Sequence, residues 1–274
     1  MSKSVGLALG GGGTRGFAHI GVLQVLEENK IPIDYIAGTS MGSVIGGIYA
    51  CGTDLHMLER IVPELNEKDY KDIQIPRYGF LKGAKLQELI RIFTKRYDFE
   101  QAHIPLRCVA VDALSGQKVE IGEGQIDDAI RASIAVPVIF EPVRWKDRLL
   151  LDGGIVERIP IQTARNMGAD IVIAVDVGYR GGSTADTDPV HMMDYFMMTI
   201  DMMGWTAVQY QEKEADMVIV PDVARLDMAS FRDFEISVQR GREAAEAALP
   251  DIQKQLKKRT RKPRTKKTEE RPTA

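Results

Sequence analysis

The chain has 274 residues, 44% hydrophobic and 27% charged, which is long enough for one α/β domain with a well-buried core. Its two cysteines, Cys51 and Cys108, make no disulfide framework, its four histidines have no zinc-ligand spacing, and no apolar run reaches bilayer-spanning length. The net charge of −3 conceals an asymmetry: from Lys254 onward ten Lys or Arg face two Glu, a segment of +8 that leaves −11 on residues 1–253.

Taken in order, Val5–Leu9 reads as a short buried strand. It runs into Gly10-Gly11-Gly12-Gly13-Thr14-Arg15-Gly16, and a helix carrying Phe17, Ile20, Val22, Leu23, Val25 and Leu26 follows. Strand, glycine loop and helix together cradle negative charge. Glycines let backbone N–H groups point inward, and the helix start adds its dipole. Three functions use such a loop. A dinucleotide site needs an acid at the end of the second strand, and here Asp34 comes before that strand. A P-loop needs Gly-Lys-Ser/Thr, and this loop has Gly-Thr-Arg-Gly. The third is an oxyanion hole beside a serine on the neighbouring strand, and it also accounts for the next motif.

Residues 35–45 read as a strand end, a tight turn and a helix start, with Gly38-Thr39-Ser40-Met41-Gly42 matching G-x-S-x-G. Small residues two before and two after Ser40 let the turn close and leave the hydroxyl projecting above the sheet edge. A plain helix N-cap is the competing use of Ser40, and a close-packing turn that of the glycine loop. Residues 55–96 read as mostly helical, with an irregular link around 73–83. Residues 106–113 and 118–122 read as strands, and 126–136 as a helix ended by Pro137.

Residues 141–145 and 148–151 form a predicted hairpin. Asp152-Gly153-Gly154 then puts an acid at a strand end before a sharp turn, so holding that turn and acting as a base are both open to Asp152. A short helix at 161–167 and strands at 171–177 and 218–220 follow. Six methionines between 192 and 203 go round one predicted helix, expected in the core, with an adaptable acyl-chain or partner surface as the other reading. Residues 231–249 predict a long helix that Pro250 kinks or ends. The alternation as a whole predicts an α/β fold: three α/β/α layers around a mostly parallel sheet.

GGGGTRG, GTSMG and DGG, in that order within residues 5–177, resemble the motifs of the patatin-like phospholipase family, its bacterial single-domain members above all. RASIAVPVIF, 131–140, resembles a block that the family carries between serine and aspartate. The resemblance implies a patatin-like α/β/α catalytic domain, set at 1–256. It also implies a Ser–Asp dyad without histidine and hydrolysis of lipid acyl esters with neither metal nor other cofactor. It makes Ser40 the nucleophile and Asp152 the proton acceptor, with Gly11, Gly12 and Gly13 as oxyanion donors next to Arg15. DGG departs from the family's DGA by one methyl group.

Histidine is the usual base for such a serine. With none suitably placed, the resemblance implies that Asp152 takes the proton directly, and desolvation would lift its low intrinsic pKa. His19, one turn into the first helix, is expected to hydrogen-bond the scaffold. Arg15 either binds an anionic head group or pairs with a scaffold carboxylate. The basic tail, 257–274, is expected to be disordered, with peripheral contact to anionic membrane as its further use and no specific nucleic acid as partner. Reduced thiols and the lack of a secretory leader set the expected location as cytoplasmic. Two other functions stay open: a ligand-binding regulatory protein with a vestigial dyad, and a nucleotide-dependent enzyme.

Overall fold

A computed structural model of the chain describes residues 3–73, 79–181, 192–228 and 230–258; the basic tail from 259 onward lies outside the described residues. The strands are β1 (Val5–Leu9), β2 (Tyr35–Thr39), β3 (Gly79–Leu81), β4 (Leu106–Asp112) and β5 (Lys118–Ile121), then β6 (Val138–Phe140), β7 (Val143–Trp145), β8 (Arg148–Asp152), β9 (Ile171–Val175) and β10 (Met217–Ile219). The helices are α1 (Ala18–Glu28), α2 (Met41–Ala50), α3 (Leu55–Ile61), α4 (Glu67–Tyr70) and α5 (Ala84–Phe93), then α6 (Ile126–Ser133), α7 (Ile161–Asn166), α8 (Met192–Gln211) and α9 (Phe234–Lys258).

The main sheet runs β10-β9-β1-β2-β4-β8-β7, with β5 also paired to β4. From β10 to β4 every pairing is parallel. Beyond β4 the sheet turns antiparallel, since β8 returns through the tight hairpin from β7 rather than through a crossover helix. Side chains alternate between the faces, as the two-residue strand period requires. Leu7, Leu9, Ile36, Ile173 and Val175 face one core, shared with α1, α2, α6 and α9. Ala8, Ala37, Val172 and Ala174 face a smaller core shared with α7 and α8. The result is a three-layer α/β/α domain whose central strands are buried on both sides.

Three predicted elements differ. The helix expected over 126–136 stops at Ser133, so that Ile134 and Ala135 lie against the sheet instead. Of the two expectations for Pro250, a kink or an end, the helix does not end there: it runs on to Lys258. Ala245 and Ile252 are fully buried on either side of the proline, with Leu249 and Leu256 packed on the same core, and that tertiary burial outweighs one lost helix bond. The irregular link contains β3, which pairs in parallel with β6 as a separate two-stranded sheet. Among the described residues no helix is long and apolar enough to cross a membrane.

Candidate active site

Ser40 sits between β2 and α2 with φ 52° and ψ −124°, a backbone conformation that side-chain-bearing residues seldom adopt. Local sterics compel the turn. A Cβ on Gly42 would lie 2.1 Å from the carbonyl oxygen of Leu9, and one on Gly38 would lie 2.5 Å from the Cα of Ser43. Ser40 occupies the N-cap position of α2, yet its side chain makes no capping hydrogen bond, so its hydroxyl is left for other work.

The amide of Ser40 donates instead to Ser133 Oγ (3.0 Å), which donates to the carbonyl of Val109 (2.6 Å). Ser133 lies in the 131–140 block, but nothing in its spacing marks it as a brace for Ser40. Without its hydroxyl a buried N–H goes unsatisfied, at a cost of about 1–3 kcal/mol. Ser133→Ala is expected to lower the melting temperature by about 2–8 °C, as a thermal melt can check; an unaltered melt would show that the turn holds without it.

Register explains how Asp152 reaches Ser40 from far along the chain. Thr39 pairs with Val109, and Ala110, the next residue of β4, pairs with Asp152. Ser40 and Asp152 thus stand level, two strand spacings or about 10 Å apart at the backbone, a gap that their side chains converge across. Asp152 Oδ1 accepts the Gly154 amide at 2.7 Å, so the turn-holding role is real. Its other oxygen, Oδ2, is buried with no hydrogen-bond partner among the described residues. Burial pushes the pKa of Asp152 up to about 6, against the pull of the Ser40 hydroxyl, the Gly154 amide and the Arg158 charge.

The glycine loop follows β1, the neighbour of β2, and a Cβ on Gly11 would lie 3.1 Å from that of Ser40. Its three expected donors separate here. The Gly11 amide is already given to the carbonyl of Arg158 (2.9 Å), so Gly11 supplies close approach rather than a donor. Among the described residues the amides of Gly12 and Gly13 donate to nothing. Gly13 has φ 60°, and a Cβ there would lie 2.5 Å from the Met228 carbonyl oxygen, so only glycine fits. The first-turn amides of Met41 and Gly42 add helix-terminus N–H groups at the same rim. His19 is fully buried, with Nε2 2.8 Å from the carbonyl of Gly10. Burial holds its pKa down to about 4, so the ring is neutral and Nε2 carries the proton it donates. It braces the loop, as expected, from below.

Arg15 takes the scaffold option. Its guanidinium pairs with Asp201 of α8 (3.2 Å), and its Nε donates to the carbonyl of Leu226 (3.1 Å). Asp201 also pairs with Arg158 (2.7 Å), whose Nε reaches the carbonyl of Gly11 (3.3 Å). Asp201 and Arg158 carried no sequence motif, yet they tie α8 to the glycine loop. This corrects the expectation of a core helix. The inward side of α8 is chosen by that buried ion cluster, which leaves Met192, Tyr195 and Met203 at 83%, 59% and 71% exposure. Met197 and Met198 line a cavity of about 1270 Å³. The same cavity is lined by Gly11, Gly12, Gly13, Arg15, Ser40 and Asp152, so all six residues of the expected site meet at one opening. Among the described residues no group of His, Cys, Asp or Glu could hold a metal ion.

The family model described as patatin-like phospholipase matches residues 7–165. An uncharacterized NTE family protein of Mycobacterium tuberculosis is 40% identical over 192 residues, 69% of this chain and 53% of the relative. Lysophospholipase NTE1 of Kluyveromyces lactis is 34% identical over 182 residues, 64% of this chain and 13% of its own length. The chain thus spans about half the length of the mycobacterial relative and a smaller share of the yeast one. Among solved structures, VipD from Legionella pneumophila has a TM-score of 0.64 over 92% of this chain and 67% of that one, at 12% identity, a likeness of fold.

Proposed function

The chain belongs to the patatin-like phospholipase family, and on that premise we propose that it is a serine acyl hydrolase of lipid esters, working through Ser40 and Asp152. The observation that carries this reading is the buried, unpartnered Oδ2 of Asp152 beside a strained serine whose hydroxyl caps nothing. The lysophospholipase named among the relatives and the apolar lining of the cavity support a lipid ester as substrate.

In this mechanism Asp152 takes the Ser40 proton as Oγ attacks the ester carbonyl. The amides of Gly12 and Gly13 receive the oxyanion, and in acyl transfer one such donor is worth roughly 10²–10³ in rate. Collapse of the tetrahedral intermediate expels the alcohol, which leaves with the proton held by Asp152. Water, deprotonated by the same carboxylate, then attacks the acyl-enzyme, releases the fatty acid and restores Ser40. A base with a pKa about 6 is matched to this work near neutral pH, where an ordinary aspartate would be weaker by roughly two units.

Since the ionised form is the active one, kcat/KM is expected to rise with pH through about 6 and level off above 7. At pH 5 it should be about one tenth of the plateau. A profile flat between pH 5 and 8 would remove Asp152 as the base. The function itself is tested by adding a fluorophosphonate probe and, separately, a lysophospholipid in the presence of EDTA. Covalent labelling and fatty-acid release are both expected; folded protein that does neither would be a ligand-binding relative with an inactive dyad.

A further inference from the structure

The apolar part of the cavity has a form that the chemical step alone does not require. Met41, Val44, Ile45 and Ile48 recur at helical spacing on α2, and all four line the cavity. Leu86, Leu89, Ile90 and Phe93 do the same on α5. Two helices bearing such stripes ordinarily interdigitate them at close-packed density. Here the cavity borders both stripes, while Ile45, Ile48 and Ile90 also pack into the core.

The two ends of this space differ. Near the nucleophile, α6 stands between the helix starts: its Ser133 holds the Ser40 amide, and its Arg131 donates to the carbonyl of Lys82 (2.7 Å), just before α5. At the far end the helices are pinned together. Thr53 Oγ1 donates to the carbonyl of Phe93 (2.6 Å), and Lys95 Nζ donates to the carbonyls of Cys51 and Gly52 (2.8 Å each). Ile48 and Ile90, close to this tie, are 3% and 2% exposed. Between Ser40 and that tie, the part of the cavity bordered by both stripes forms a gorge, with Leu58, Val62 and Tyr70 in its further lining. The opposite wall of the cavity holds the charged cluster of Arg15, Asp201 and Arg158.

We propose that this gorge is a ruler for a linear acyl chain, a proposal that rests on Ser40 being the nucleophile. The ester carbonyl sits at Ser40, the alkyl chain follows the α2 stripe towards the Thr53–Phe93 tie, and the alcohol portion lies on the charged side. A helix advances about 1.5 Å per residue, which puts Val44 and Ile48, the last residue of α2 to line the cavity, about 6 and 12 Å beyond Ser40. A zigzag chain with C–C bonds of about 1.5 Å advances about 1.25 Å per carbon, so these depths correspond to about 5 and 10 carbons. The preferred substrates are esters of straight-chain fatty acids that reach the tie, and longer chains gain nothing more.

The test is a series of p-nitrophenyl esters, butyryl to hexadecanoyl, with wild type, Val44→Phe and Ile48→Phe. Each added methylene is worth up to about fourfold when fully buried, so wild-type kcat/KM should rise at least about tenfold from butyryl to dodecanoyl and then level off or fall. Ile48→Phe should move the optimum to octanoyl or decanoyl and cut the dodecanoyl-to-butyryl ratio at least about tenfold. Val44→Phe should move it to butyryl or hexanoyl and cut the ratio further. A flat wild-type profile would overturn the ruler alone. So would two variants that melt like wild type and slow every ester by one common factor. Where Val44→Phe does not fold, Ile48→Phe decides by itself. Wild type that turns over no ester at all removes the acyl-hydrolase reading, and the ruler with it.

Discussion

Ser40→Ala is expected to abolish ester turnover and fluorophosphonate labelling, a loss on the order of 10⁴–10⁶ in kcat/KM, while the chain melts where the wild type does. The two halves of that expectation have separate grounds. Removing the attacking oxygen leaves only oxyanion binding and substrate positioning, which in comparable enzymes account for a small residue of the rate. Stability is spared because the Ser40 side chain caps nothing, and alanine meets the same unfavourable φ that serine already occupies. The assay is lysophospholipid turnover beside a thermal melt. Full activity in Ser40→Ala would end the proposal that this residue is the nucleophile; a collapsed melting point would mean that the hydroxyl has a structural partner.

Asp152→Asn is expected to cost roughly 10³–10⁴ in kcat/KM and, against the usual trend for a buried site, to stabilise the chain at neutral pH. Asparagine is nearly isosteric, and its side-chain oxygen still accepts the Gly154 amide, so the turn survives. Its amide cannot take a proton from Ser40. The stability effect follows from the sign of the pKa shift. Folding raises the pKa of Asp152 from 3.8 to about 6, because burial penalises the charged form. Well below pH 3.8 the carboxyl is neutral both folded and unfolded, so the wild type carries no penalty there. As pH rises from about 4 through 6 the native state must take on a buried charge, and above 6 the full cost is present. Asparagine avoids that cost, worth up to roughly 3 kcal/mol for a shift of this size. The gain in melting temperature should therefore appear between pH 4 and 6 and stay constant above. It should be absent well below pH 3.8. A variant less stable than wild type at pH 8 would show that the carboxylate is held by something stronger than the Gly154 amide.

Much of this site could be read from short stretches. Gly38-Thr39-Ser40-Met41-Gly42 and the glycine run at 10–13 constrain their own backbones, and both take the turn that their side-chain volumes impose. His19 is similar, nine residues beyond the Gly10 carbonyl that needs a donor. Other assignments could not be made that way. Gly11 packs like its glycine neighbours, but whether its amide is free depends on Arg158, 147 residues away. Arg15 had two possible partners until α8 brought Asp201 beside it. The methionines of α8 have no periodicity that picks an inward face, and the buried Asp201 and Val208 among its other residues mark it. Leu86, Leu89, Ile90 and Phe93 make a clear apolar stripe, yet hydrophobic spacing reads the same whether the stripe meets another helix or lines a void.

From the sequence alone came the strand, loop and helix order, the strained serine, the glycine loop beside it and the three-layer architecture, because each follows from residue size, shape and spacing along the chain. Only the folded chain decided that Asp152, 112 residues beyond Ser40 and across β4, would stand level with it and out of water. A pKa near neutrality and a gorge of definite length are properties of the space between elements, and that space exists only once distant segments have packed.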